Sequence, residues 1–113
     1  MATVNLTERS FAALLRDASL PVLVDFWAPW CGPCRLMGPV VEAVARACTG
    51  ELIVGKLNVD DAPRVAETYR VMSIPTLMLF REGVVVLRLQ GLKPKHEVLA
   101  ALKTVCNVGR DVE

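Results

Sequence analysis

The sequence predicts an α/β domain in which a central mixed β-sheet is flanked by helices on both faces. Three observations lead there. The chain has 113 residues, the size of one compact unit with one core, so a single domain is expected over 1–113. Its apolar periodicity switches repeatedly between strand-like and helix-like patterns, the signature of a sheet covered by helices. Pro21-Val22-Leu23-Val24-Asp25-Phe26-Trp27 is almost continuously apolar, as a central strand buried on both faces must be. With 53% hydrophobic and 22% charged residues, the composition is that of a folded globule rather than a disordered chain.

The first element is a strand or coil before Thr7. Phe11, Leu14, Leu15 and Ala18 then recur at helical spacing behind Thr7-Glu8, a cap with an acidic first turn, so a helix is expected from about Glu8 to Asp17. The apolar strand comes next, with Asp25 as its anomaly. A second helix should begin near Cys31 or Pro33 and run to about Cys48, where Gly50 signals a stop. Pro39 removes a backbone donor inside it and should kink it. Leu52 to Val59 reads as a strand, Pro63 to Tyr69 as a short helix and Thr76 to Phe80 as a strand. Glu82-Gly83 supplies a hairpin turn into Val84 to Leu89. Pro94 can occupy the first turn of a last helix, on which Val98, Leu99, Leu102, Val105 and Cys106 share a face. A parallel core with an antiparallel hairpin at one side accommodates this order.

Trp30-Cys31-Gly32-Pro33-Cys34 lies where the apolar strand gives way to the second helix. Two thiols at that spacing can reach one another, and a helix N-terminus favours negative charge there, so the pair reads as redox-active. On a wheel of about 100° per residue, Leu36, Met37, Val40, Val41, Val44 and Cys48 span one arc of roughly 140°. Cys34 falls at its edge and Cys31 about 60° further out, so Cys31 is expected to be the more exposed thiol. Asp25, set in an apolar strand, should have its pKa raised by desolvation into a range suited to proton transfer near neutrality. The alternative is an Asp hydrogen-bonded at a strand end near the surface.

Other chemistries are disfavoured. Thirteen basic and twelve acidic residues leave a net charge of +1 with no basic run, so no nucleic-acid partner is expected. No segment approaches the roughly 18 uninterrupted apolar residues of a membrane span, and Met1 to Arg9 lacks the pattern of an export signal, so a cytoplasmic location and no membrane contact are expected. Four cysteines would make a disulfide framework only in an oxidising compartment. No low-complexity tract, linker or internal repeat interrupts the chain.

Val24-Asp25-Phe26-Trp27-Ala28, Trp30-Cys31-Gly32-Pro33-Cys34, Pro39, Lys56-Leu57-Asn58-Val59-Asp60, Ser73-Ile74-Pro75-Thr76 and Gly91 occur in an order and approximate spacing that resembles the thioredoxin family over essentially the whole chain. A lone Cys-x-x-Cys is a weak signal; this ordered set is a strong one. The Gly-Pro centre is also more similar to thioredoxins than to the disulfide isomerases or periplasmic oxidases. The resemblance implies the thioredoxin fold and a thiol-disulfide oxidoreductase that reduces disulfides in target proteins. It implies Cys31 as the attacking thiolate, Cys34 as the resolving thiol and Asp25 as the group exchanging a proton with Cys34. Lys56 would modulate Asp25 from the adjacent strand, although by itself it reads as a solvated lysine.

The resemblance further makes Pro75 a cis-proline facing the cysteine pair, with Ile74 pairing an extended substrate. Trp30, Gly32, Pro33, Ile74, Pro75 and Gly91 would form the docking surface, and Trp27 would pack beneath the motif. Pro29, Ser73 and Gln90 depart from the family pattern and bear on target preference and redox poise. A thioredoxin reductase drawing on NADPH is the implied reductant, disulfide-containing proteins are the implied targets, and the chain is expected to work as a monomer without a bound cofactor. Cys48 and Cys106 fall on apolar helical faces and read as small buried hydrophobes, with a regulatory disulfide or dimerising thiol as the alternative. His96 reads as a surface residue. A metal site is not expected, because four ligands are needed and the other cysteines sit on separate helices. A redox-silent role as an interaction or chaperone subunit, using the same surface, is the other functional reading.

Overall fold

The computed structural model describes residues 2–108. The expected domain over 1–113 also takes in Met1 and residues 109–113, which lie outside the described residues. In chain order the elements are β1 (Val4–Leu6), α1 (Glu8–Asp17), β2 (Val22–Trp27), α2 (Gly32–Ala47), β3 (Ile53–Asn58), α3 (Pro63–Thr68), β4 (Thr76–Arg81), β5 (Val84–Gln90) and α4 (Lys95–Lys103). They form one mixed sheet in the order β1-β3-β2-β4-β5, in which β1, β3 and β2 run parallel and β4 and β5 run antiparallel to their neighbours. This is the α/β thioredoxin fold. β2 is central, as its unbroken apolar run requires, and the β4–β5 hairpin turns on Glu82-Gly83 at one side.

The pleat of β2 divides the core into two halves. Val22, Val24 and Phe26 face α1 and α3, packing with Phe11, Leu57, Met78 and Phe80. Leu23 faces the opposite side, where Met37, Val41 and Val44 of α2 and Val98, Leu99 and Leu102 of α4 cover the sheet. Strand alternation therefore puts Asp25 and Trp27 on the α2 side with Leu23. At the sheet's other edge, β1 runs beside β3 with Val4 opposite Gly55, and a Cβ on Gly55 would come within 2.5 Å of Leu6 Cδ1. Only glycine lets Leu6 pack down at this point.

Helix ends obey their local chemistry. Thr7 caps α1, accepting from the Ser10 N–H while the Ser10 hydroxyl accepts from the Thr7 N–H. Cys31 occupies the N-cap of α2, and Pro33 enters the first turn, where the missing donor costs nothing. Pro39 lies inside this helix, which nevertheless continues to Ala47.

Three expectations need correction here. Leu36, placed on the buried arc of α2, is 63% exposed. Cys34, Met37, Val41, Val44, Ala45 and Cys48 form the buried face instead, so the true arc is rotated to bring Cys34 and Ala45 inward. Pro94 is the N-cap of α4 rather than a member of its first turn. Val105 and Cys106 lie beyond the last helical residue, although both still pack on the core.

Candidate active site

β2 ends at Trp27, and the chain turns through Ala28-Pro29-Trp30 before α2 begins. The turn closes with the Cys31 N–H donating to the Ala28 carbonyl at 3.2 Å. Cys31 is thereby delivered to the N-cap, where its Sγ accepts from the Cys34 N–H at 3.2 Å. The two cysteines are joined as a disulfide with their Cα atoms 5.2 Å apart. They pack with Ala28, and Trp27, Val59 and Ile74 close around them. Sulfur at this point meets the unsatisfied N–H groups and positive end of the helix, the environment that stabilises a thiolate.

The expected difference in exposure between the thiols is not observed. Cys31 is 5% and Cys34 4% exposed. A helical wheel does not apply to Cys31, because an N-cap has extended backbone, here φ −91° and ψ 111°. That conformation directs its sulfur back across the helix start towards the α3–β4 connection, 3.7 Å from the Ile74 carbonyl oxygen.

The α3–β4 connection is held in place from several directions. The Ile74–Pro75 peptide is cis, as the resemblance implies. The Thr76 hydroxyl donates to the Ser73 carbonyl at 2.6 Å, and the Gly91 N–H donates to the Pro75 carbonyl at 2.9 Å. Gly91 adopts φ +87°, which glycine takes without a Cβ clash. The structure thus brings Cys31, Cys34, Ile74, Pro75 and Gly91 together around one point. Gly32 and Pro33 are exposed beside it, while Pro75 is buried. Trp30 is 67% exposed and donates through Nε1 to Asp60 Oδ2 at 2.9 Å, so an apolar ring is presented in a fixed orientation.

Beside Trp30 and Ile74 lies an open cavity of about 270 Å³, lined also by Val59, Pro63 and Met72. Sequence reasoning did not single out Met72, which is 88% exposed next to Ser73-Ile74-Pro75. An apolar residue adjoining that motif was the available signal.

Asp25 is fully buried, and neither carboxylate oxygen has a hydrogen-bond partner among the described residues. The reading of a surface hydrogen-bonded Asp is therefore overturned. Burial pushes its pKa up from 3.8 to about 6, while the charge of Lys56 opposes the rise. Lys56 stands directly opposite Asp25 in the β2–β3 register. Its Nζ lies 5.0 Å from the centre of the Trp27 ring. Lys56 is consequently a partly buried neighbour of the site rather than a freely solvated lysine.

Cys48 is fully buried, Cys106 is partly buried, and both are free thiols. Burial raises both pKa values, the direction that makes a thiol inert. His96 is exposed. Among the described residues no three His, Cys, Asp or Glu side chains gather as a metal-binding set, and no helix is long and apolar enough to cross a membrane.

Comparison with known proteins places this geometry in context. The family model described as Thioredoxin matches residues 2–104. A thioredoxin of Mycobacterium tuberculosis strain H37Rv is 46% identical over 104 residues, covering 92% of this chain and 90% of that protein. A thioredoxin of Alicyclobacillus acidocaldarius is 47% identical over 104 residues, covering 92% of this chain and 98% of its own. A bifunctional thioredoxin reductase/thioredoxin of Mycobacterium leprae is 45% identical over 103 residues, which span 91% of this chain and 22% of that protein.

Proposed function

The chain belongs to the thioredoxin family, and from that premise we propose how its residues divide the work of disulfide reduction. The activity itself is thiol-disulfide oxidoreduction, that of a protein-disulfide reductase. In the dithiol form, the Cys31 thiolate attacks one sulfur of a target disulfide. A Cys31–target bond forms, the target's own S–S bond breaks, and the other target sulfur leaves as a thiolate that takes up a proton from water. Cys34 then loses its proton to Asp25 and attacks the Cys31 sulfur. The mixed disulfide breaks, the second target sulfur leaves as a thiolate that takes up a proton from water, Asp25 gives its proton back to water, and the two electrons have passed to the target. The chain is left as the Cys31–Cys34 disulfide present in the structure. Because Cys34 is tethered three residues away, its attack is effectively intramolecular.

Asp25 suits its part because burial holds its pKa near the operating pH, and Lys56 limits the rise. The target chain lies extended against Ile74 and Pro75, with Trp30, Gly32, Pro33 and Gly91 forming the rest of the docking surface. Apolar contacts there exclude water from the exchanging sulfurs. NADPH-dependent thioredoxin reductase returns the electrons; the bifunctional Mycobacterium leprae relative, whose name joins both activities, supports that partner. We further propose one domain over 1–113, working as a cytoplasmic monomer.

The observation that carries this reading is Cys31 at the N-cap of α2, bonded to Cys34 and facing the Ile74 carbonyl. Equilibration of the Cys31–Cys34 pair against glutathione, then thiol trapping and mass analysis, tests it. A potential near the about −270 mV characteristic of thioredoxins is expected. A value near the about −180 mV of disulfide isomerases, or a pair that does not close, would contradict it.

A further inference from the structure

Helix α3 ends in a turn that lacks its usual glycine. The Arg70 N–H donates to the Glu67 carbonyl at 3.1 Å and the Val71 N–H to the Ala66 carbonyl at 2.8 Å. These are the two bonds of a Schellman ending, whose left-handed position glycine ordinarily fills. Here Arg70 fills it, at φ +53°. A side chain in that conformation is strained, so the turn persists only where its surroundings hold it.

The holding group comes from the sheet. Arg88 of β5 donates through Nη2 to the Tyr69 carbonyl at 2.7 Å and through Nη1 to the Arg70 carbonyl at 3.4 Å. One planar guanidinium thus spans two carbonyls that the turn leaves free. Its charge also complements the negative end of the helix. The Tyr69 ring is fixed in turn by edge contacts with Phe11 and Phe80.

The turn gains functional weight from the segment it launches. Residues 71–74 run directly from it to Pro75, form one wall of the cavity beside Trp30, and end at the Ile74 carbonyl that faces Cys31 Sγ. Thr76 and Gly91 fix the far end of this wall. Arg88 fixes the near end, although its side chain is outside the docking surface.

We propose that Arg88 is a positioning residue for target docking: by gripping the Tyr69 and Arg70 carbonyls, it sets the wall of residues 71–74 against which a target chain lies beside Cys31. The proposal rests on the docking reading of Ile74 and Pro75 given under Proposed function. It makes a specific demand on Arg70. Glycine at that position would relax the turn and make Arg88 dispensable.

The experiment mixes the reduced full-length protein with two oxidants in stopped flow. One is a short peptide closed by an internal disulfide, which needs the wall; the other is dithiobis(nitrobenzoate), which has no peptide backbone to pair with it. Arg88→Ala and Arg88→Lys are expected to slow the peptide reaction by about three- to tenfold, as loss of solvent-exposed hydrogen bonds implies, and the small disulfide by less than about twofold. Combining Arg70→Gly with Arg88→Ala should return the peptide rate to within about twofold of wild type, as relief of the left-handed strain implies. Equal slowing of both oxidants, an unchanged peptide rate, wild-type behaviour of Arg88→Lys, or no recovery with Arg70→Gly would each overturn the proposal. A wild-type protein that reacts with neither oxidant would overturn the redox reading beneath it.

Discussion

Asp25 and Lys56 face each other in register across β2 and β3, and the Lys56 Nζ approaches Gly38 of α2, to which an added Cβ would stand 3.8 Å away. This charged pair therefore lies on the sheet face that α2 covers, under the helix that begins at the redox cysteines. The two groups do not come within the 4.0 Å of an ion pair, and the carboxylate has no hydrogen bond among the described residues.

The unpaired carboxylate sets a pH dependence of stability. The folded protein holds Asp25 at a pKa of about 6 against an ordinary 3.8, so it binds the proton more tightly than the unfolded chain does. Asp25 therefore costs no stability below about pH 3.8, and its cost grows as pH rises to reach its full size above about pH 6. The cost at neutral pH is about 3 kcal/mol. Asp25→Asn should consequently raise the melting temperature by several degrees at pH 7.5 and by little near pH 3.5, about the pH values that bracket the titration. Thermal melts of the oxidised protein at the two pH values check this.

The same titration should govern turnover. Above a pH of about 6 the carboxylate is charged, the state that the proposed proton transfer from Cys34 requires. Single-turnover closure of the Cys31–Cys34 bond should slow as pH falls through this region, and Asp25→Asn should slow it by about tenfold or more at neutral pH. Lys56→Met removes the charge that lowers the Asp25 pKa, so the midpoint should move upward. A pH–rate profile of the three proteins measures both effects.

Gly55→Ala should destabilise the fold without touching the redox site. The new methyl would meet Leu6 at 2.5 Å and force it to another rotamer. The expected cost is about 1–3 kcal/mol. Leu6→Ala in the same chain should remove the clash and recover part of that loss, which urea denaturation can resolve.

Alkylation of the reduced native protein should separate the four thiols. Cys31 should react first at neutral pH, Cys106 slowly, and Cys48 only after unfolding, because Cys48 has no exposed surface and burial raises its pKa. Mass analysis against time of treatment with iodoacetamide reads the order directly.

Much of the site was legible because its residues are chemically out of place. Cys31 and Cys34 interrupt the start of an apolar helix, and Asp25 interrupts an apolar strand. The helical ranges of α1 and α2 could be read from caps and stop signals that act locally. Hydropathy alone did not orient α2 correctly. It weights Leu36 above Cys34 and Ala45, whereas the space under the helix accepts the smaller side chains and leaves Leu36 in solvent. Nor could a wheel describe Cys31, whose backbone is extended. β1 has three residues, too few to display a period of two. Met72 and Val59 meet at the cavity only because two separate connections converge there, and Arg88 reaches Tyr69 across 19 residues of chain. Such contacts have no local signature.

The measurement that bears most directly on the central claim is covalent trapping. Cys34→Ser leaves Cys31 able to attack and removes the thiol that would release the target. The reduced variant, incubated with a disulfide-containing protein and analysed by peptide mass mapping, should accumulate a mixed disulfide through Cys31. Cys31→Ser should accumulate much less. Capture chiefly through Cys34, or no capture by either variant beside an active wild type, would contradict the assignment of Cys31 as the attacking sulfur.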